Sequence, residues 1–331
     1  MAKVTRGSVA ALALPDQVSE EILRGVAETS LIRSLAASKT MTANRYKVTE
    51  AEVSGANVFW VGEGQRKSTD VPSMTQKTWT LQAAEMAVIV PIDENVQDDA
   101  SVDLFDLYRP QIETAIARKL DAAAFFGLDV PTDWGQASLK SQITTANHSF
   151  AEDGTPTDAE LLDLLAGSGT ATPGDGALEA IEEDGYDPTA WVAYVRFRSR
   201  LRAMKDLDGR PIFGAPTQAD IPGSLFDLPI QFVKGSNAGS DGFWVPADAH
   251  AFVGDWSQAM VGTRAGIRYR IFDQGVITDG AGNVVYSLME SDMVALRVTC
   301  RYAFKVFAPD TADGETLASD EKYPFALVKP A

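Results

Sequence analysis

The sequence predicts an α+β fold built around three long elements. Residues 47–64 and 76–92 read as strands flanking the polar, turn-rich stretch GQRKSTDVPSM, which makes a long hairpin. Phe105, Tyr108, Ile112, Ile116, Leu120 and Ala123 recur at spacings of three and four, forming the apolar stripe of a long helix. Near the C-terminus Val294, Leu296, Val298, Cys300, Tyr302, Phe304 and Val306 alternate with Ala295, Arg297, Thr299, Arg301, Ala303 and Lys305, the two-residue period of a strand.

Taken in order, Pro15 and Asp16 open a helical pattern with Val18, Ile22 and Val26 at four-residue spacing, and Glu20 and Glu21 stand where the helix dipole favours acids. The hairpin follows. Its second arm, at ~3.3 Å per residue, reaches roughly 50 Å. Two strands of that length cannot bury their own faces, and an isolated hairpin is marginal in water, so something else must cover it. Ser101 can cap the long helix and Gly127 can end it, with a kink expected at Pro110, which removes one backbone hydrogen bond.

Residues 128–192 are acidic and rich in Gly, Pro, Ser and Thr, with short helical patches at 158–165 and 177–183. A basic helix is expected at 195–206, a turn at DGRP (208–211), and short strands at 230–233 and 250–254. Cys300 lies on the apolar side of the closing strand, where it reads as a small, inert core residue.

Composition narrows the function. The chain has 331 residues, 45% apolar and 23% charged, ordinary for a globular protein. No apolar run approaches the ~20 residues of a membrane helix, and Pro15 cuts short the apolar start, so a cytosolic product is expected. One cysteine and two histidines, His148 and His250, allow neither an internal disulfide nor a Cys/His zinc pattern. The net charge of -17 disfavours a sequence-reading DNA binder. That charge is uneven. Residues 150–187 hold eleven acids and no Lys or Arg, whereas Arg196, Arg198, Arg200, Arg202 and Lys205 follow as a basic cluster. A solvated face accounts for such runs, and contact between neighbouring copies is the sharper reading.

Motifs of catalysis fail on spacing. In the stretch 62–68 Arg66 stands where a phosphate loop needs Gly before Lys67, and a turn follows instead of a helix. Asp206 to Gly209 begins like a calcium loop but lacks the later acids. No GxSxG elbow occurs, and the closeness of Asp248 to His250 in sequence is not triad geometry. Asp98-Asp99 and Glu182-Glu183 read as surface or helix-end charges. No catalytic, cofactor-binding or metal-binding residue is therefore assigned, and the chain is not expected to be an enzyme.

The order of these features resembles the major capsid proteins of tailed phages, the Hong Kong 97 fold. LPDQVSEEILRGVAETSLIRSL (14–35) is similar to the family's N-terminal arm and ANVFWVGEGQRKST (56–69) to the ascending side of its extended loop. Residues 90–127 resemble the approach to the spine helix and the helix itself. LRAMKDLDGRPIF, GSLFDLPIQFV and FVGDWSQAMVGTRAGIRYRIF resemble the axial domain and its exit, and MESDMVALRVTCRYAFKVF the long peripheral strand.

The resemblance implies an N-terminal arm (1–46), an extended loop (47–90), a peripheral domain (91–130 and 284–331) and an axial domain (131–283). It implies a subunit that assembles with itself into pentamers and hexamers and encloses double-stranded DNA without reading its sequence. Portal and decoration proteins are implied partners, and no membrane is. Because only fourteen residues precede Pro15, too few for a scaffold-like leader, a separate scaffolding protein is expected. The expected location is the virion, after assembly in the bacterial cytoplasm.

Trp60, Arg66, Lys67 and Trp79 are the loop residues expected at the subunit interface, and Glu182, Glu183, Arg196, Arg198, Arg200 and Arg202 the candidate charge contacts. Some relatives join a loop lysine to an asparagine of a neighbour's peripheral domain, with a glutamate assisting, and here residues 284–331 hold the closing peripheral strands. Lys67 could act as that lysine, but no asparagine follows Asn283, and Asn283 itself is explained by the left-handed backbone of the turn DGAGN, so a shell without cross-links is expected. Two other functions stand beside this one: an encapsulin-like compartment shell, separated by its cargo enzyme in place of DNA, and an acidic soluble enzyme, separated by its small oligomeric size.

Overall fold

The computed structural model describes residues 30–54, 63–64, 73–100, 104–135, 137–154, 156–168, 176–205, 224–237, 242–307 and 322–331. The elements begin with helix α1 (Leu31–Leu35) and strands β1 (Ala37–Thr40), β2 (Arg45–Ser54), β3 (Ser73–Gln82) and β4 (Ala84–Asp93). Helices α2 (Glu94–Asp99), α3 (Leu104–Phe126) and α4 (Leu139–Thr145) come next, followed by β5 (Ser149–Ala151), α5 (Asp158–Ala166) and α6 (Ala177–Glu183). Beyond them lie β6 (Ala190–Tyr194), α7 (Phe197–Ala203), β7 (Ser224–Leu225), β8 (Leu228–Val233), β9 (Ala251–Gly254) and β10 (Ala259–Phe272). The chain closes with β11 (Val276–Thr278), β12 (Val284–Ser287), β13 (Met293–Val306) and β14 (Phe325–Lys329).

The hairpin of β2 and β3 runs in unbroken register from Arg45 opposite Gln82 to Ser54 opposite Ser73. Its second arm is two strands, not the single one read from 76–92. The chain breaks at Ala83, whose N–H donates to Asn44 O at 3.0 Å, and β4 then joins a different sheet. That sheet has the order β1-β10-β13-β4. The expected helix at 15–26 lies outside the described residues.

Helix α3 crosses one face of this four-stranded sheet. Ile92, Val96, Leu104, Phe105, Ile112, Leu296 and Val298 form the core between them. The hydroxyl of Tyr269 on β10 donates to Glu113 of α3 at 2.6 Å, and the Arg109 guanidinium lies over the Tyr269 ring. Burial, helped by that carboxylate, holds the phenol well above its ordinary range. The helix continues through Pro110 as one element, with the Thr114 hydroxyl donating to Pro110 O. It ends at Gly127, whose φ of 68° suits glycine and where a Cβ would come within 3.1 Å of Ser138. Ser101, the expected cap, lies outside the described residues.

A second, mixed sheet has the order β5-β14-β9-β6-β8-β7. Strands β6 and β9 are buried along their whole length, because both faces are covered. On one face Leu161, Leu165, Leu178, Ile181, Phe197 and Leu201 of α5, α6 and α7 pack against Trp191 and Val253. On the other the last turn of α3 inserts, with the Phe125 ring 5.6 Å from Phe243, 5.2 Å from Phe252 and 5.9 Å from Trp256. This aromatic core fixes the long helix to both sheets.

Two strands pair across the segments read from the sequence. β14 lies within 284–331 but pairs with β9 and β5 in the six-stranded sheet, and β10 lies wholly within 131–283 but pairs with β13 in the four-stranded one. The physical reason is that β14, buried on both faces, reads as a short apolar run with no period to place it.

Candidate assembly surfaces

The hairpin meets its own chain only at its base among the described residues. Leu81 and Ala83 pack with Met41 against Ala303 of β13, and Gly262 makes room for them, since a Cβ there would stand 2.5 Å from Met41 Sδ. Of the described side chains of β2, none is buried. Trp79 belongs to the base. Its ring is 3% exposed and meets Phe307 edge-on at 5.8 Å, so its apolar surface is already used inside the subunit. This corrects the reading of Trp79 as an interface residue. Trp60, Arg66 and Lys67 lie outside the described residues, and of the stretch 62–68 only Glu63 and Gly64 are described, in a turn.

The acidic and basic segments already meet within one chain. Arg200 donates to the buried carboxylate of Glu152 at 2.6 Å, and His250 Nε2 stands 3.3 Å from the same group. The His250 imidazole stacks on Phe197 at 5.3 Å. Burial lowers its pKa, with Glu152 opposing and Arg200 adding to the shift. Arg198 is half-buried over the Phe232 ring, and the Lys205 N–H donates to Asp158. Arg196, Arg202, Glu182 and Glu183 remain exposed. Of the candidate charge contacts, these four are free to face another copy. Arg200 is not, because leaving Glu152 buried without a cation would cost several kcal/mol.

No dyad forms at the adjacent Asp248 and His250. Asp248 pairs with Lys140 at 2.7 Å, while His250 faces Glu152. His148 lies between Asp184 and Phe325 O, a structural bridge onto β14. Cys300 is buried with its sulfur 3.8 Å from Met86 O, and burial pushes the thiol up to about 11, which fits an unreactive core residue. Among the described residues no group of three His, Cys, Asp or Glu side chains is placed to hold a metal ion. No described helix is long and apolar enough to cross a membrane.

One apolar surface was not read from the sequence. Val276, Val284 and Met289 are 57%, 64% and 78% exposed around the small hairpin of β11 and β12, and Ile271 near the end of β10 is exposed too. The signal was present, since VIT and VVYS flank the turn residues DGAGN. In that turn Asp279 Oδ1 accepts from the N–H groups of Ala281 and Asn283, and Asn283 Nδ2 donates to Asp279 Oδ2 at 3.1 Å. Gly282, with φ 86°, takes the left-handed position. The explanation of Asn283 by left-handed backbone is therefore corrected: its amide is held by Asp279.

A subunit with two sheets pinned by one long helix, a projecting hairpin and uncovered apolar and charged surfaces is a building block of a larger assembly. The sequence profile of the phage capsid family matches residues 10–312, and the chain belongs to that family. It is 25% identical over 316 residues to the "Major capsid protein" of Staphylococcus phage 80alpha, covering 93% of this chain and 86% of that one. A solved chain of Microbacterium phage Oxtober96 superposes with a TM-score of 0.74 at 25% identity, covering all of both chains. One of Mycobacterium phage Adephagia gives 0.73 at 28% identity, covering 100% of this chain and 99% of the other. The fold is of the Hong Kong 97 type.

Proposed function

We propose that this chain is the major capsid subunit of a tailed phage, building the icosahedral head that encloses double-stranded DNA, and that its role is structural and not catalytic. The four-stranded sheet with α3 is the peripheral domain, and the six-stranded sheet with α5, α6 and α7 the axial domain. The hairpin is the extended loop.

The observation that carries the reading is this hairpin. Ten residue pairs in register project from a base at Leu81 and Ala83, and such a ladder is stable only when another surface covers it. A hairpin of one copy lying on the next is a heterologous contact, and such contacts close into rings. Rings of five and six tile a closed shell. The exposed apolar residues Val284 and Met289 and the charges of Arg196, Arg202, Glu182 and Glu183 supply further contact between copies. Portal, scaffolding and decoration proteins complete the particle, which assembles in the bacterial cytoplasm. The phage capsid relatives support a genome, not an enzyme cargo, as the content. Native mass spectrometry of the purified chain tests the reading: masses at five and six times the subunit support it, and a monomer at every concentration contradicts it.

A further inference from the structure

One face of the four-stranded sheet carries an unusual charge for so acidic a chain. Residues 297, 299 and 301 of β13 point away from the core that Leu296, Val298 and Cys300 enter, while Ala303 further along the same face is covered by the hairpin base. Arg270 of β10 stands directly opposite Arg297, and Arg268 opposite Thr299. With Arg264 and Arg301 they line a groove of about 540 Å³. Glu85 is the single carboxylate in its lining, and it is taken by Arg301, whose Nε donates to it at 2.8 Å. Arg297 is held over the Phe272 ring at 4.6 Å. Arg264, Arg268 and Arg270 are exposed, and no ion pair within the chain is recorded for them among the described residues.

Like charges opposite each other across two strands destabilise a sheet. A chain with 46 acids against 29 bases had many ways to place an acid here and has one. The arrangement is therefore suited to an anion from outside the subunit. Guanidinium forks match carboxylate and phosphate oxygens alike. Both sources are anionic, but copies of a shell subunit already lie in contact, and each brings exposed carboxylates such as Glu182 and Glu183 to its neighbour. We propose that this arginine face is a contact surface that binds carboxylates of a second copy of this chain. The inference rests on the shell-building reading and adds which surface receives the neighbour.

The test compares the full-length chain with the triple variant Arg264→Glu, Arg268→Glu, Arg270→Glu and with the corresponding lysine variant, reading the assembled fraction by sedimentation. Circular dichroism melts first establish that the variants fold; because all three residues are exposed and Arg270 stands opposite Arg297, neither variant should melt clearly below the wild type. The glutamate variant is expected to lose assembly at least tenfold. Wild-type assembly should weaken between about 50 mM and 1 M salt, while the little that the glutamate variant retains does not. The lysine variant, keeping charge but not the fork, should fall between them. A glutamate variant that assembles as well as the wild type overturns the inference. So does one that assembles normally but no longer retains fragments of double-stranded DNA, since the arginines then serve phosphate. A wild-type chain that forms no assembly under any condition overturns the shell reading, and this inference with it.

Discussion

The hydroxyl of Ser30 donates to the buried carboxylate of Asp121 at 2.6 Å, joining the start of the described chain to the long helix. The same carboxylate accepts from the N–H groups of Leu31 at 3.0 Å and Ile32 at 3.2 Å, so a residue of α3 caps α1 from outside it. Asp121→Ala leaves these buried donors unsatisfied, at a cost of about 1–3 kcal/mol. A thermal melt of the unassembled variant should show a lower midpoint, and an unchanged midpoint contradicts the capping role.

Trp79 gives a second prediction. Its ring fills the junction of hairpin base and sheet, against Phe307. Trp79→Ala should destabilise the free subunit by about 3–5 kcal/mol, the usual cost of removing a buried aromatic. Urea unfolding of the subunit measures this. Loss of assembly with subunit stability intact would return Trp79 to the interface.

The sequence made the long helix and the closing strand readable because each has one face in a core and one outside, so its period is visible. The helices α5 and α6 appear at the expected places, and Thr157 and Glu160 form a capping box around the first. Strand β10 was hidden. Its register slips between Thr263 and Ala265 and again between Ala265 and Arg268, which breaks the alternation, and Gly262 and Gly266 weaken the strand signal. The arginine face was hidden with it, since Arg264, Arg268 and Arg270 become a cluster only when β13 brings Arg297 and Arg301 beside them. Trp79 was misplaced for a related reason: the break at Ala83 folds the base of the hairpin onto its own sheet, and strand periodicity does not report such a break.

His250 links stability to pH. Its folded pKa lies below the ordinary 6.5, so the unfolded chain takes up a proton first as pH falls. The stability it contributes is therefore complete above about pH 6.5 and declines below it, toward the folded value. Between pH 7 and pH 5 the wild-type melting temperature should fall more steeply than that of His250→Gln. Parallel curves for the two proteins contradict the assignment.

Cross-linking offers a chemical test. No asparagine follows Asn283 in the sequence, and the Asn283 amide is engaged by Asp279. Mature particles boiled in detergent with reductant should run as a single band near 35.6 kDa. A ladder of covalent oligomers contradicts this and marks a bond between copies.

Copies of this chain are expected to tile a closed shell, each held by the hairpin of its neighbour. Electron microscopy of the particles formed by the full-length chain tests it most directly. The expected result is closed shells of five- and six-membered rings, with the hairpin of each subunit lying across the next. Only monomers or small oligomers at every concentration, or shells in which each hairpin folds back on its own subunit, contradict it.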